Sequence, residues 1–382
     1  MKVIFEKEKF IASLIPAAAI APNRNTNYIL ESVLLDCDND EENVCRITAY
    51  DMEKGLRTSL ECEIIEKGCF ALNSQNILQI VRHMPDGEIL LEVDERCRAK
   101  ISSGNASYEI GAASGENYPS LPLLAGDKNY KIPEYVFRSM INKTIFATSA
   151  ADQGKAFSGV FLKCENNLLT AVGCDRNMLA VAEYQLDGDN PDNKMIIPGR
   201  ILTELIKNVR DADEEMEISV ARKHVIFNVA GFTYFSRLID DEYFNYGKIL
   251  SFPSDIHVFA NCEEFRNIVE SASVVTEDKL GGKSKNSLVI NYKSDKMEIS
   301  SNSASGSFFA EVPASTENLA SDMLFKYNGR YIMNVLRACD ETETVKISLS
   351  GPTMGMKITN GDHDTKEKVN YIFYVMPMSN VR

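Results

Sequence analysis

Two hydrophobic periods alternate along this 382-residue chain, and the same order of periods comes round three times. Residues 70–82 read FALNSQNILQIVR, 196–207 read IIPGRILTELIK, and 325–337 read FKYNGRYIMNVLR. Each opens on an apolar residue fit to end a strand. Each then passes through a short polar segment with Asn, Ser or Gly and continues as an amphipathic helical run closed by a base. Ile77-Leu78, Ile201-Leu202 and Tyr331-Ile332 hold equivalent places, and Arg82, Lys207 and Arg337 end the runs. A second helical pattern opens at Phe10, Phe137 and Phe265, with Leu14, Ile141 and Val269 four residues on. Gly104, Gly231 and Gly361 mark a late strand-like run, and YPSL at 118–121 has a counterpart in YFNY at 243–246. All these sets recur at about 125–130 residues, a third of the chain, which predicts three tandem copies of one domain: 1–126, 127–253 and 254–382.

In the first copy the pattern predicts a strand over 2–6. A helix over 10–19 follows, with Phe10, Ile11, Leu14, Ile15 and Ala18 on its buried side. Strands are predicted at 29–37 and 44–50, with one alternating strand over 56–65. A helix over 75–82 and strands at 89–93, 99–102 and 107–110 complete the copy. The second copy repeats this order with helices over 136–146 and 201–208, the third with helices over 263–272 and 330–338. Irregular linkers are expected at 119–133 and 244–255. The fold class is therefore α+β: two helices against an antiparallel sheet, three times over. Matching edges let neighbouring sheets extend side by side, and a curved row of such units closes into a ring if the rotation per unit allows it.

Composition adds bounds. A 44% hydrophobic and 25% charged chain is that of a globular protein. No apolar run approaches the ~20 residues of a membrane helix. The first residues, MKVIFEKEKF, lack the apolar stretch of a secretory signal, so a cytoplasmic location is expected. Nine cysteines, scattered and without a CxxC pair, fit reduced thiols. A net charge of −14 argues against binding nucleic acid over the whole surface but leaves room for a local basic face.

The catalytic motifs are missing. His83, His224, His257 and His363 show no zinc-ligand spacing, and there is no GxxxxGK[ST], GxGxxG or GxSxG segment. The acidic run at 211–215 lacks the glycine and terminal glutamate of a calcium loop. Asp362-His363-Asp364 reads as a polar turn. No catalytic residue, metal or cofactor is expected. Two alternatives remain. An inter-domain hydrolase or ligand receptor built on His363 would lose turnover on His363→Ala. A protein-only repeat scaffold would not stay on circular DNA.

Several segments resemble one family. They are Tyr374-Val375-Met376-Pro377-Met378; Arg24-Asn25-Thr26 ahead of Ile29-Leu30; Leu169-Thr170-Ala171-Val172 leading to Asp175; Ile196-Ile197-Pro198; and Phe235-Ser236-Arg237-Leu238-Ile239-Asp240. The chain resembles, over essentially its whole length, the bacterial sliding clamps, the beta subunits of DNA polymerase III. The resemblance implies a non-catalytic, head-to-tail homodimeric ring with helices lining the hole. It implies duplex DNA encircled without sequence preference. The partners it implies are the polymerase III catalytic subunit, a clamp loader, and other polymerases and repair proteins that bind through short peptides with Gln and apolar residues. It implies no membrane role.

A closed ring is retained by topology, so a mildly basic lining suffices despite the acidic net charge. Candidate DNA contacts are Arg24, Arg82, Arg138, Lys143, Arg200, Lys207, Arg266 and Arg337. The resemblance places the partner-peptide walls at Phe157, Cys174, Arg176, Asn177, Met178, Leu179, Phe244, Lys248, Ile249, Tyr374, Val375, Met376, Pro377 and Met378. Methionine suits a surface that receives many peptides. It places the dimer contact at Tyr108 and Ile110 on one protomer and Val274 and Val275 on the other. Three features depart from the family pattern. Arg176-Asn177-Met178 replaces Gly-His-Arg, Phe244 stands where Pro is common, and the tail continues through Ser379-Asn380-Val381-Arg382.

Overall fold

Phe10, Phe137 and Phe265 are all fully buried, as are Leu14, Ile141 and Val269 one helical turn later. This is what a repeated i, i+4 apolar pair requires, because such residues share one face of a helix. A computed structural model describes residues 1–22, 24–122, 126–149, 154–276, 287–303, 306–339, 343–351, 354–361 and 369–378. Its α-helices are α1 (Lys7–Ile20), α2 (Ser74–His83), α3 (Glu134–Asn142), α4 (Gly199–Leu205), α5 (Gly247–Leu250), α6 (Cys262–Thr276) and α7 (Gly329–Ala338). The chain divides into two units, Met1–Arg138 with Arg200–Ile239, and Ser139–Gly199 with Asp240–Arg382.

The first unit holds one antiparallel sheet, in the order Lys128–Pro133, Glu215–Val220, His224–Val229, Phe232–Arg237, Lys54–Glu61, Val44–Tyr50, Ser32–Asp36, Cys69–Asn73, Ala106–Ser114, Arg98–Ser103, Glu88–Val93, Lys2–Glu6, Glu63–Glu66. The strand from the middle third, Phe232–Arg237, pairs directly with Lys54–Glu61 from the first third, from Phe232 opposite Thr58 to Ser236 opposite Lys54. α1 packs against α2.

The second unit repeats the device. Its sheet runs Asn193–Pro198, Gly159–Glu165, Leu168–Cys174, Met178–Gln185, Asn370–Val375, Met356–Asn360, Thr344–Leu349, Ile256–Asn261, Gly306–Glu317, Lys296–Ser303, Ser287–Tyr292, Met323–Asn328. The seam is Met178–Gln185 against Asn370–Val375, from Met178 opposite Val375 to Glu183 opposite Asn370. α6 packs against α7 over a core that includes Phe265, Val269, Ile332 and Leu336. Sheets thus continue edge to edge from one third of the chain into the next, which leaves fewer strand edges bare.

The three FALN-like segments fold as strand, cap and helix. The Asn73 side chain accepts a hydrogen bond from the Asn76 amide at 3.0 Å, and Asn328 accepts from the Arg330 amide at 3.0 Å. Each satisfies an amide that the first helical turn leaves unpaired. Pro198 holds the equivalent place before α4 and has no side-chain acceptor; α4 is the shortest of the three helices.

Several expected boundaries move. The expected strand at 29–37 begins with a 3-10 turn, Tyr28–Glu31, capped by Asn27. The alternating run over 56–65 breaks at Cys62, whose amide donates instead to the Asn43 carbonyl at 2.8 Å. α3 stops at Asn142, and the Thr144 hydroxyl donates back to the Met140 carbonyl at 2.8 Å, ahead of a 3-10 turn at Ile145–Ala147. The expected linker over 119–133 contains the strand Lys128–Pro133, whose Tyr130 and Ile132 are buried. Ile15 is exposed, because the buried side of α1 is set by Phe10, Leu14 and Ala17, and Ile15 lies a full 100° step from Leu14.

Candidate partner-binding and DNA-facing surfaces

The strand seam of the second unit gathers most of the expected partner-peptide residues. Leu179 lies opposite Tyr374 and Met178 opposite Val375, and the Met376 amide donates to the Asn177 carbonyl at 2.8 Å. Cys174, Met178, Leu179, Tyr374 and Val375 are buried, so they form the floor of the region and not its surface. Met376 is exposed, Pro377 and Met378 are half-buried, and the Met378 amide donates to the Lys326 carbonyl at 2.7 Å. Gly355 lets Tyr374 fit: a Cβ there would sit 2.5 Å from the Tyr374 ring, whose hydroxyl accepts from the Gly355 amide at 2.8 Å.

An aromatic cluster rises beside this floor. Phe157 lies 5.6 Å from Phe244 between ring centroids, and Phe161 stacks on Tyr243 at 4.8 Å. Tyr243 lies 5.1 Å from Phe244, which meets Tyr246 edge-on at 6.5 Å. Lys248 and Ile249 follow on α5; Lys248 is exposed. The Arg176 guanidinium lies over the Phe157 ring at 5.7 Å, a cation–π contact. Phe161, Tyr243 and Tyr246 belong to the cluster although the resemblance did not point to them. The aromatic density of residues 243–246 was the available signal. Lys357 props the segment after α5, donating to the Leu250 and Phe252 carbonyls at 2.7 Å each.

Burial pushes the Cys174 thiol up to about 11, far from a reactive thiolate, and burial likewise raises the Tyr243 and Tyr246 phenols. Among the described residues no cluster of His, Cys, Asp or Glu could hold a metal ion. Asp362, His363 and Asp364 lie outside the described residues, as do residues 379–382. Among the described residues no helix is long and apolar enough to cross a membrane.

The basic candidates separate into three groups. Arg24, Arg82, Arg200, Lys207 and Arg337 are exposed, with Lys207 2.7 Å from Glu204 and Arg337 3.5 Å from Glu270. Arg138 and Arg266 are half-buried. Lys143 departs from the expectation. It is 6% exposed, its amine donates to the Ala338 carbonyl at 3.3 Å, and it sits 4.9 Å over the Tyr371 ring. It ties the end of α7 to its own unit and is not part of the exposed basic set. A recess of about 360 Å³ along α6 and α7 adds an exposed base the pattern did not single out, Arg330, beside Asn334 and Arg337.

The expected dimer residues lie by bare strand edges. Among the described residues, 106–111 of Ala106–Ser114 pair only with Arg98–Ser103, and 306–313 of Gly306–Glu317 pair only with Lys296–Ser303. Tyr108 is 44% exposed, Ile110 and Val275 are half-buried, and Val274 is 79% exposed. Phe309, missed in the sequence, is 63% exposed on the second of these edges.

The family model described as DNA polymerase III beta subunit, N-terminal domain, matches residues 1–122, and the central-domain model of the same subunit matches 131–245. The beta sliding clamp of Staphylococcus epidermidis is 25% identical over 373 residues, covering 96% of this chain and 97% of that protein. A solved structure from Eubacterium rectale, described as a candidate DNA polymerase III beta subunit, is 26% identical with a TM-score of 0.89, covering 99% of each chain. The DNA polymerase sliding clamp of Bacillus subtilis shares the fold at a TM-score of 0.90 and 22% identity, again over 99% of each chain. With both domain models matched in order and full-length relatives covered nearly end to end, the chain belongs to the DNA polymerase III beta-subunit family, the bacterial sliding clamps.

Proposed function

We propose that two copies of this chain pair head to tail into a ring that encircles duplex DNA and tethers a replicative polymerase to it. The work is mechanical, and no residue performs chemistry. The observation that carries the reading is the ordered match to both family domains in a chain whose near full-length relatives are named beta sliding clamps. The three domains are 1–126, 127–253 and 254–382.

Two bare edges support the pairing. A bare strand edge that exposes Phe309, or one that exposes Tyr108, is an aggregation hazard unless it is covered. Laying residues 106–111 of one protomer along residues 306–313 of its partner covers both, twice in a closed pair. Arg24, Arg82, Arg138, Arg200, Lys207, Arg266, Arg330 and Arg337 supply the lining that meets phosphates. Contact to phosphate alone carries no sequence information and weakens with salt. The aromatic cluster and the 374–378 tail supply a groove for short peptides with a Gln and large apolar residues. The polymerase subunit, the clamp loader and repair proteins present such peptides. Aromatic and Met side chains are the usual anchors of such contacts.

The test is loading onto a plasmid by an ATP-driven clamp loader, then gel filtration of the DNA. Retention on closed circles with loss from linear DNA supports the reading. A scaffold that ignores DNA topology gives equal elution in both cases.

A further inference from the structure

We propose that Met376 is a modification site: peroxides oxidise its thioether to the sulfoxide, and the oxidised chain releases its peptide partners. The proposal rests on the groove reading above. Exposure singles this sulfur out. Of the 14 methionines, Met52 is 50% exposed and Met376 39% exposed; Met323, Met354 and Met378 are half-buried and the rest are buried. Thiols are the usual competitors for peroxide, but they react as thiolates. None of the nine cysteines is exposed. Cys174, on the floor of the groove, is buried, and that burial pushes its thiol up to about 11. The half-buried thiols, Cys62, Cys69 and Cys97, all lie in the first unit, whereas Met376 lies in the second.

The setting makes the change consequential. The Met376 amide donates to the Asn177 carbonyl at 2.8 Å and the Met378 amide to the Lys326 carbonyl at 2.7 Å, so the main chain is pinned on both sides and the Met376 side chain stays presented. A thioether there is apolar and adaptable, which suits an apolar peptide anchor. The step is a two-electron oxygen transfer. The sulfur lone pair attacks one peroxide oxygen, the O–O bond breaks and an S–O bond forms. The departing hydroxide takes the proton from the transferred oxygen and leaves as water, so the sulfur is oxidised and the peroxide reduced. The sulfoxide carries an acceptor oxygen that an apolar anchor cannot satisfy, and docking the peptide strips that oxygen of water without replacement. Met52 is the internal reference. It lies in the first unit, in the turn between strands Val44–Tyr50 and Lys54–Glu61, and its oxidation leaves the groove residues untouched.

The experiment treats the full chain with hydrogen peroxide, removes the peroxide, and reads oxygen uptake at each methionine by mass spectrometry of its fragments. Binding of a fluorescent synthetic peptide with one Gln and with Leu and Phe anchors, itself free of sulfur, is read by anisotropy on the same samples. Met52 and Met376 are expected to take up oxygen first. The dissociation constant rises about tenfold in step with Met376, and methionine sulfoxide reductases restore it. Excess peptide slows oxidation of Met376 and leaves that of Met52 unchanged. Met376→Leu keeps its affinity through the treatment, while Met52→Leu loses affinity as the natural chain does. Recovery on enzymatic reduction decides the matter in the natural chain, without any variant. Affinity that is unchanged once Met376 carries its oxygen, or lost equally in Met376→Leu, overturns the proposal. So does a Met376 that oxidises no faster than the buried methionines. If the untreated chain binds no such peptide, the groove reading fails and the proposal with it.

Discussion

Replacing Phe309 by Ser tests the pairing of protomers. Phe309 is 63% exposed on the bare half of strand Gly306–Glu317. A Phe side chain offers about 200 Å² of surface, so roughly 125 Å² is available for burial against a partner. At about 25 cal/mol per Å² that burial stabilises each interface by about 3 kcal/mol. A closed pair has two such interfaces, so the variant loses about 6 kcal/mol, near ten-thousand-fold in the dissociation constant. Sedimentation velocity over a dilution series reads this directly: the variant becomes a monomer where the natural chain is a dimer. Because the side chain is already exposed in one chain, the fold of the monomer keeps its thermal midpoint. Leu324→Ser is the control; Leu324 is 65% exposed but lies on strand Met323–Asn328, away from the edge in question. A Phe309→Ser chain that dimerises as tightly as the natural one, or a Leu324→Ser chain that dissociates equally, refutes the argument.

Gly355→Ala brings a methyl group to 2.5 Å from the Tyr374 ring and 2.7 Å from the Val375 carbonyl, so it destabilises the chain by about 1–3 kcal/mol in denaturant unfolding and weakens peptide binding along with stability. Arg82→Gln with Arg337→Gln lowers affinity for duplexes of every sequence alike and shallows the salt dependence by about two counterions, read by titration at several salt concentrations. His224 is held below its ordinary range, first by burial and then by Arg237 and Lys223. The unfolded chain therefore takes up its proton first, and stability falls as pH drops below about 6.5. In His224→Asn the thermal midpoint loses that part of its acid dependence between about pH 7 and about pH 5.

How much of this was legible beforehand follows from what each signal depends on. Phe10, Phe137 and Phe265 were legible because burial of a helix face needs a fixed spacing, and spacing survives in sequence. Strands such as Lys128–Pro133 were read as linker, since prolines and a Gly-Asp pair earlier in that stretch outweigh a short alternation. Lys143 was read as a DNA-facing base. Its burial depends on Ala338 and Tyr371, far away in the chain, and no local pattern announces them. Phe309 was passed over because nothing local in the FF pair at 308–309 tells exposed from buried; exposure depends on which strand has a neighbour. The tail at 374–378 was legible as a motif. Of its aromatic neighbours, Tyr243 and Tyr246 were signalled only by the aromatic density of residues 243–246 and Phe161 not at all, because stacking geometry appears only once α5 and the strands are in place.

The most direct measurement joins the two proposed edges covalently. With Tyr108→Cys and Phe309→Cys, oxidation after loading on a nicked circle should leave protein that stays with the circle in high salt and is shed when the circle is cut once. Release from the intact circle at the same rate as from linear DNA would contradict the account.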